Sequence, residues 1–301
     1  MKRILVLGAT GLLGRYLMNE GARRGHMMVG TWHTRNPYGF TVQIDITNRK
    51  SVDRAMSLVH PDVVIHAAGN NSVDWCEKNK GEAWQMARDS TQCIVDCEAK
   101  LFYISTNAVY LGDSPPYDFD SLQAPINVYG KCKGAAEFLY RHRRTPENTC
   151  VVRPILLYGW PPYGARRNWM TRIISAPKPL HLVTDRVTQP LYAGDAARAI
   201  LTLVDEDATE CYNIGGGDVM SLYDFGQTVC KEYGYKSSTI LPTTTKELEK
   251  TYPDMAPRPV NTTFSMKRWL MDHEPIPGVV LGLERMWREE TDSSNVYPGQ
   301  F

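Results

Sequence analysis

The sequence has no surplus of charge of either sign. Its 301 residues contain 34 Lys and Arg against 33 Asp and Glu, which gives a formal net charge of +1 at pH 7. Sequence-independent nucleic-acid binding depends on a basic surface that releases counterions from the phosphate backbone. A nearly neutral chain is poorly suited to that task, so we expect no nucleic-acid partner.

Cysteine and histidine spacings typical of disulfide frameworks or zinc sites are also missing. The seven cysteines are odd in number and include no C-x-x-C pair, and the seven histidines show no H-x-x-x-H or H-x-H spacing. Secreted disulfide scaffolds and protein-built zinc sites usually carry such patterns. We therefore expect no disulfide framework, no metal and a reducing, cytoplasmic location.

Long apolar runs are absent from the sequence. A membrane-spanning helix needs about 18 or more consecutive apolar residues, and no stretch approaches that length. The run Ile4–Leu7 follows Met1-Lys2-Arg3 and is soon interrupted by glycines. It predicts a first strand rather than a signal peptide, and we expect no membrane association.

Short β-branched runs alternate with helix-length segments through the first half of the chain. The predicted strands are Ile4–Leu7, Met27–Thr31, Thr41–Ile44, Val63–His66, Leu101–Ser105 and Thr149–Arg153. Strands separated by helices need crossover connections, and right-handed crossovers produce a parallel sheet that is covered on both faces. The pattern predicts an α/β fold with a doubly wound parallel sheet.

The pattern changes near residue 154, where pieces rich in Pro, Gly and Trp begin, among them residues 161–164. Such residues punctuate loops rather than a continuing sheet. A helix is predicted again over Ala193–Val204, followed by a strand over Cys211–Ile214. The later chain is therefore expected to return to the first sheet.

This organisation predicts two interleaved parts. The first is an NADP-binding domain over residues 1–153, to which residues 188–214 return. The second is a smaller C-terminal substrate-binding lobe over residues 154–301, formed mainly by 154–187 and 215–301.

A glycine-rich turn follows the first predicted strand. It reads Gly8-Ala9-Thr10-Gly11-Leu12-Leu13-Gly14 and leads into a helical pattern through Arg23. A strand, a glycine turn and a helix in this order let backbone N–H groups at the helix N-terminus face a pyrophosphate. The pattern predicts a Rossmann-type dinucleotide site. The expected contacts in the turn are Gly8, Thr10, Gly11, Leu12, Leu13 and Gly14.

No carboxylate follows the second strand, where an NAD site usually places one for the ribose hydroxyls. His33, Thr34 and Arg35 stand there instead. Arg35 would pair with a 2′-phosphate through its bidentate fork, helped by His33 or Thr34. This favours NADP(H), with NAD(H) as the alternative, although a solvated loop charge is the other interpretation of Arg35. Further expected cofactor contacts are Asp45, Ile46, Ala67, Ala68 and Gly69.

Tyr129 and Lys133 lie one helical turn apart in a predicted helix that runs to Arg141. A free phenol titrates at about 10, and an adjacent ammonium would lower its pKa toward the working range. Tyr129 would then donate or accept a proton. Thr106, at the end of the fifth strand, would hydrogen-bond the substrate oxygen that Tyr129 protonates. Each residue alone is also compatible with an ordinary surface or strand position.

These motifs resemble the extended short-chain dehydrogenase/reductase family, through Gly8-x-x-Gly11-x-x-Gly14, Ser105-Thr106 and Tyr129-x-x-x-Lys133. Within it the chain is most similar to the dTDP-4-dehydrorhamnose reductases. The pieces that carry this similarity are Val73–Glu77, Ala124–Lys131, Arg153, Tyr158-Gly159, Gln189–Asp195, Arg258-Pro259 and Asn261-Thr262.

The resemblance implies a catalytic triad of Thr106, Tyr129 and Lys133. Hydride would pass from the nicotinamide to the C4 ketone of a nucleotide-linked 4-keto-6-deoxy sugar, while Tyr129 supplies the proton. Lys133 would also hold the nicotinamide ribose, and Tyr129 is an expected cofactor contact as well. A homodimer is a further expectation.

Further site residues follow from the same resemblance. Arg153 joins the expected cofactor contacts. The expected substrate contacts are Thr106, Asn107, Asn168, Trp169 and Arg258, the last being suited to a phosphate. Core packing for Trp169 and a surface ion pair for Arg258 are equally open. Two departures from the family pattern are Ala87, where relatives often have Asn, and Asn107, where the reductases usually have Asp.

Three other functions compete with that of a reductase. A sugar dehydratase typically carries an Asp-Glu pair after the threonine, and Asn107-Ala108 disfavours it. A nucleotide-sugar epimerase needs only the Thr, Tyr and Lys residues with a retained cofactor, and stays open. A regulatory subunit resembling that of methionine adenosyltransferase also stays open, since it shares most of these motifs.

Overall fold

The computed structural model describes residues 1–143, 145–161, 168–175, 179–236 and 239–291. Residues 162–164 of the Pro- and Gly-rich stretch and residues 292–301 of the predicted substrate lobe lie outside this part. The described strands are β1 (Arg3–Leu7), β2 (Met27–Trp32), β3 (Val42–Gln43), β4 (Val63–His66), β5 (Lys100–Ile104), β6 (Thr149–Pro154), β7 (Leu157–Tyr158), β8 (Leu180–Val183), β9 (Val187–Thr188), β10 (Leu191–Tyr192), β11 (Glu210–Ile214), β12 (Met220–Ser221) and β13 (Ile240–Thr243).

The described α-helices occupy the connections between these strands and the C-terminal part of the chain. They are α1 (Leu12–Arg23), α2 (Arg49–Val59), α3 (Val73–Lys78), α4 (Lys80–Ile94), α5 (Val128–Arg141), α6 (Trp169–Ile174), α7 (Ala193–Asp205), α8 (Leu222–Glu232), α9 (Thr245–Thr251), α10 (Lys267–Leu270) and α11 (Val279–Thr291). Within the described ranges, no helix combines the length and the apolar character needed to cross a bilayer.

Seven strands form one sheet in the order β11-β6-β5-β4-β1-β2-β3, and every neighbouring pair is parallel. The strand order reverses between β1 and β4, because β2 and β3 lie on the other side of β1. The predicted doubly wound α/β fold of Rossmann type is confirmed. In such sheets ligands bind at the carboxyl ends of the strands, beside the point of reversal.

The two faces of the sheet are both buried, as the near-continuous apolar strands predict. Ile4 and Val6 of β1 join one core cluster, in which α1 and α7 pack together. Leu5 and Leu7 join the other cluster, which α2, α4 and α5 cover. Because successive strand residues point to opposite faces, one short strand supplies both cores.

The predicted strand over Thr41–Ile44 is shorter in the structure, where β3 has two residues. It is an edge strand that pairs with β2 alone, through Thr31 with Val42 and Trp32 with Gln43. With a partner on one side only, its ends have fewer ladder hydrogen bonds to extend the strand.

The later chain does return to the sheet. β11 pairs in parallel with β6 over its full length. The remaining strands of the C-terminal half form small two-stranded sheets, β10 with β7, β12 with β9 and β13 with β8. The division into a cofactor-binding domain and a substrate lobe at the predicted boundaries stays a prediction.

Candidate functional site

The glycine turn between β1 and α1 is a place of close backbone contact. Gly8 has φ of +88°, and a Cβ on it would stand 2.8 Å from backbone atoms of Ala67 and Ala68. A Cβ on Gly14 would stand 2.2 Å from the carbonyl oxygen of Gly8. Gly8 therefore needs the conformational freedom of glycine, and both positions need its missing side chain.

The N-terminus of α1 has no side chain that competes with an anion. Gly11 is its N-cap and provides no side-chain cap, and the first turn contains no acidic residue. The first N–H groups of a helix have no partner within the helix and carry the positive end of its dipole. The Leu13 side chain is buried in the core and is therefore not available to a ligand. The turn would bind a pyrophosphate through its backbone N–H groups. The residues present fit that group.

The ends of β2 and β3 continue this edge of the sheet. His33, Thr34 and Arg35 follow β2 and are exposed. Asp45 follows β3, and hydrogen bonds from Thr47 hold the pKa of its carboxyl below the usual value. The exposed basic end of β2 therefore lies beside the glycine turn, as a 2′-phosphate site requires. The cofactor contacts of His33, Thr34, Arg35, Asp45 and Ile46 stay predictions.

A cavity of about 50 Å³ lies between α3, α4, α5 and the ends of β4 and β5. Four of the predicted site residues line it together, namely Ala68, Gly69, Tyr129 and Lys133. The structure adds lining residues that the motifs did not single out for the site, namely His66, Asn70, Trp75, Cys76, Met86, Tyr103 and Cys132. Ala87, at the departure from the family pattern, also lines it.

Tyr129 lies on the first turn of α5, whose N-cap Asn127 accepts a hydrogen bond from Gly130 N at 2.8 Å. Burial raises the pKa of Tyr129 to about 12, while its hydrogen bond with the Thr106 hydroxyl acts in the opposite direction. The expected acidification of this phenol by Lys133 is therefore wrong for this structure. The phenol is held in its protonated form at neutral pH.

Lys133 explains this difference, because its ammonium points elsewhere. Its Nζ donates to the carbonyl oxygen of Ile104 at 2.9 Å and lies 4.8 Å from the centroid of the Tyr103 ring. Burial lowers the pKa of Lys133 to about 8, against the raising effect of the Glu137 carboxylate. Lys133 is thus on the same cavity as Tyr129 but hydrogen-bonds the strand end.

Thr106 and Asn107 lie where β5 ends and a 3₁₀ turn over Asn107–Val109 begins. Thr106 is buried, and its Oγ1 accepts from Ala108 N at 3.2 Å. Asn107 donates through Nδ2 to the hydroxyl of Thr262. The chain around Thr262 therefore lies against Asn107, and Asn127 contacts the same part of the chain by donating to Pro257 O at 3.0 Å.

Arg153 does not line the cavity beside Tyr129, and its predicted cofactor contact stays a prediction. Its side chain is 1% exposed and forms a bidentate ion pair with Glu137, with Nη2 to Oε2 at 2.6 Å. Its Nη1 donates to the Tyr110 hydroxyl, the Phe119 carbonyl and Asn213. Buried acceptors thus take the Nε and Nη1 donors and one N–H of Nη2.

The other predicted substrate contacts have structural partners. Asn168 caps α6 by accepting from Thr171 N at 3.1 Å and donates to Gly159 O at 2.6 Å. Trp169 packs against the main core. Neither lines the cavity beside Tyr129. Arg258 donates to Asp74 at 2.7 Å, so its surface ion-pair interpretation is realised. The substrate contacts of these three residues stay predictions.

His66 is a functional candidate that sequence reasoning missed. It ends β4 and is buried, and its Nδ1 has no hydrogen-bond partner among the described residues. Burial and the charge of Lys133 lower the pKa of His66 to about 3, so the imidazole is neutral. Its position at a strand end on the ligand-binding edge was the available signal.

Comparison with known proteins decides the family. The model of the RmlD substrate binding domain matches residues 1–291. The chain belongs to this family. It is an RmlD-like member of the extended short-chain dehydrogenase/reductases, as the motifs predict, and its class is that of an oxidoreductase.

Individual relatives agree with this assignment. The dTDP-4-dehydrorhamnose reductase of Mycolicibacterium smegmatis is 26% identical over 274 residues, which are 89% of this chain and 79% of that protein. A crystal structure of the Bacillus anthracis dTDP-4-dehydrorhamnose reductase in complex with NADP has a TM-score of 0.82 and 26% identity, covering 96% and 99% of the two chains. The methionine adenosyltransferase 2 subunit beta of Xenopus tropicalis is 26% identical over 272 residues, which are 86% of this chain and 79% of that protein.

Proposed function

We propose that the chain is a reductase of a nucleotide-linked 4-keto-6-deoxy sugar that uses NADP(H), with NAD(H) as the alternative. The observation that carries this is the cavity at the ligand-binding edge, which Tyr129 and Lys133 both line and where Tyr129 is hydrogen-bonded to Thr106. The NADP complex of the Bacillus anthracis relative supports the cofactor. When bound, the cofactor supplies hydride to the ketone carbon.

The side chains supply the proton and hold the ketone oxygen. Because burial raises the pKa of Tyr129 to about 12, its phenol is protonated at neutral pH, which is the form that a proton donor in reduction needs. Thr106 and Tyr129 would both hydrogen-bond the ketone oxygen and stabilise the charge that develops there. The Lys133 ammonium adds a positive charge on the same cavity.

The cofactor would be held by the backbone of the glycine turn and by the basic end of β2. The glycine contacts leave no room for side chains at Gly8 and Gly14, which suits close approach of a pyrophosphate. Arg35 would distinguish NADP from NAD through the 2′-phosphate. Measured dissociation constants test this, and tighter binding of NAD than of NADP would contradict it.

The decisive experiment incubates the protein with NADPH and a panel of 4-keto-6-deoxy nucleotide sugars. We expect NADPH oxidation with at least one sugar, and we expect Tyr129→Phe to lower kcat by roughly 100-fold or more, since a positioned acid contributes about that much. NADPH binding to Tyr129→Phe, measured by fluorescence, should stay within about twofold of the parent because the phenol oxygen is not needed to hold the pyrophosphate.

A regulatory role is the second candidate, because a methionine adenosyltransferase subunit is among the relatives. It predicts no turnover with any keto-sugar and a stable complex with a methionine adenosyltransferase. Sugar isomerisation without net NADPH oxidation would instead indicate an epimerase. The cytoplasmic location and the homodimer stay predictions.

A further inference from the structure

Three successive residues at the end of β5 contact one face of α5. The contacting pairs are Ile104 O with Lys133 Nζ, Ser105 Oγ with Glu137 Oε1, and Thr106 with the phenol of Tyr129. Residues 129, 133 and 137 are spaced by four and therefore lie on the same helix face. Two of the three helix positions are the proposed catalytic residues, and the third is Glu137.

Several hydrogen bonds and an ion pair hold the Glu137 carboxylate in place. Its side chain is 1% exposed. Oε2 accepts from Gln123 Nε2 at 2.6 Å and from Arg153 Nη2 at 2.6 Å, and Arg153 Nε approaches both oxygens at 3.0 and 3.1 Å. A buried carboxylate is tolerated when it is paired and hydrogen-bonded in this way. Its position is therefore fixed relative to α5, β5 and β6 together.

We propose that Glu137 is a positioning residue of the reductase site, which fixes the Ser105-Thr106 strand end and provides the negative charge that faces the Lys133 ammonium. This inference rests on the proposed function. Glu137 has no contact with the substrate in this scheme. It acts through Ser105, which precedes the hydroxyl that meets Tyr129, and through its field at Lys133.

Several titratable groups surround the Lys133 ammonium. The groups that face it are Glu137 and Cys132 on α5, Cys76 on α3, His66 on β4, and Tyr103 on β5. His66 is neutral, and burial raises the pKa of the Cys132 thiol to about 11, so that thiol is uncharged at neutral pH. Among these groups Glu137 is thus the carboxylate. Its negative charge raises the pKa of the Lys133 ammonium, whereas burial lowers it.

The test is Glu137→Gln, which keeps the volume and an acceptor oxygen and removes the charge. We expect kcat at pH 7 to fall by roughly tenfold with an unchanged NADPH dissociation constant, because the strand end loses its alignment. The alkaline limb of the kcat profile, where Lys133 loses its proton, should move to lower pH by about one unit. Glu137→Asp keeps the charge and should return the limb toward the parent position.

A purely structural ion pair predicts a different result. Glu137→Gln would then lower Tm and the yield of folded protein, while kcat per folded molecule and the alkaline limb stay at the parent values. Glu20→Gln is the matched control, because Glu20 is buried in the last turn of α1 and paired with Arg23 and Arg24. We expect that variant to lose stability and to keep the parent pH profile.

Ser105→Ala keeps the inference testable if the loss of the charge prevents folding. It removes the hydroxyl that contacts Glu137 and leaves the ion pair with Arg153 intact. We expect a kcat roughly tenfold lower with parent-like NADPH binding, since only the alignment of the strand end changes. Parent kcat in Ser105→Ala together with an unmoved limb in Glu137→Gln would overturn this inference alone. Absence of turnover in the parent protein would overturn the proposed function and this inference together.

Discussion

The glycine turn and the Tyr129 cavity lie at the same edge of one parallel sheet, yet different parts of the chain form them. In the turn, backbone meets backbone: the space beside Gly8 is filled by main-chain atoms of Ala67 and Ala68. In the cavity, side chains from helices and strand ends meet, and a buried ion pair between Glu137 and Arg153 supports them. The glycine turn depends on the absence of side chains. The cavity depends on pairing between side chains from different elements of the chain.

The largest expected effect comes from breaking the side-chain part at its ion pair. Arg153→Met would leave the Glu137 carboxylate buried without its partner, which costs about 3–5 kcal/mol of unfolding free energy. Urea unfolding followed by circular dichroism measures this. Arg24→Met is the matched control, because Arg24 also pairs with a buried glutamate but is partly exposed. We expect it to cost less than about 1 kcal/mol. Equal losses of unfolding free energy in the two variants would show that the buried ion pair stabilises the protein no more than the partly exposed one.

A single added methyl group should disturb the glycine turn. Gly14→Ala places a Cβ 2.2 Å from the Gly8 carbonyl oxygen, so the turn must move. We expect a loss of about 1–3 kcal/mol in stability from this overpacking, and an NADPH dissociation constant roughly tenfold higher because the backbone N–H groups are displaced. Calorimetry and fluorescence titration measure the two effects.

Gly81→Ala provides the control for that substitution. Gly81 is in α4, and a Cβ there would meet no atom within 4 Å. Alanine at an open helical position should keep or raise stability and leave NADPH affinity unchanged. Parent-like affinity in Gly14→Ala would mean that the turn does not bind the cofactor.

The cavity also differs from the turn in its pH dependence, because among the described lysines Lys133, which lines the cavity, has the strongly lowered pKa. Burial lowers the pKa of Lys133 to about 8, so the ammonium is present below that pH and is lost as the pH rises through it. We expect kcat for ketone reduction to be level near pH 7 and to fall above about 8. Lys131→Met, which removes an exposed lysine of the same helix, should keep this limb. A limb near the ordinary lysine value of about 10.4 would contradict the assignment.

The same comparison explains what the sequence could predict. Strand periodicity and the spacing of Gly8, Gly11 and Gly14 depend on neighbours in the chain, so the fold and the turn follow from local rules. The helix period relates Tyr129 to Lys133, so their shared face is predictable, and the same period leads to Glu137 one turn later.

Arg153 shows why the rest could not be predicted. The partner of its guanidinium is Glu137 on α5, and pairing between a helix and a strand that follows it later in the chain has no local signature in the sequence. The direction of the Lys133 side chain was missed for a related reason. The carbonyl group that it contacts belongs to β5, and the depth of the cavity decides the pKa of Tyr129.

The smallest expected effect is at Arg258, whose guanidinium pairs with Asp74 on α3. If Arg258 also contacts a substrate phosphate, Arg258→Gln should raise KM for the nucleotide sugar by up to about tenfold with kcat unchanged, because only ground-state binding is lost. Asp74→Asn removes the same ion pair and keeps the guanidinium, so it should leave KM at or below the parent value. Equal increases of KM in both variants would show that the ion pair acts by holding the chain around Arg258 in place. Stability should change by less than about 1 kcal/mol in either variant, since the pair is partly exposed, and kinetics can therefore separate the two roles without interference from unfolding.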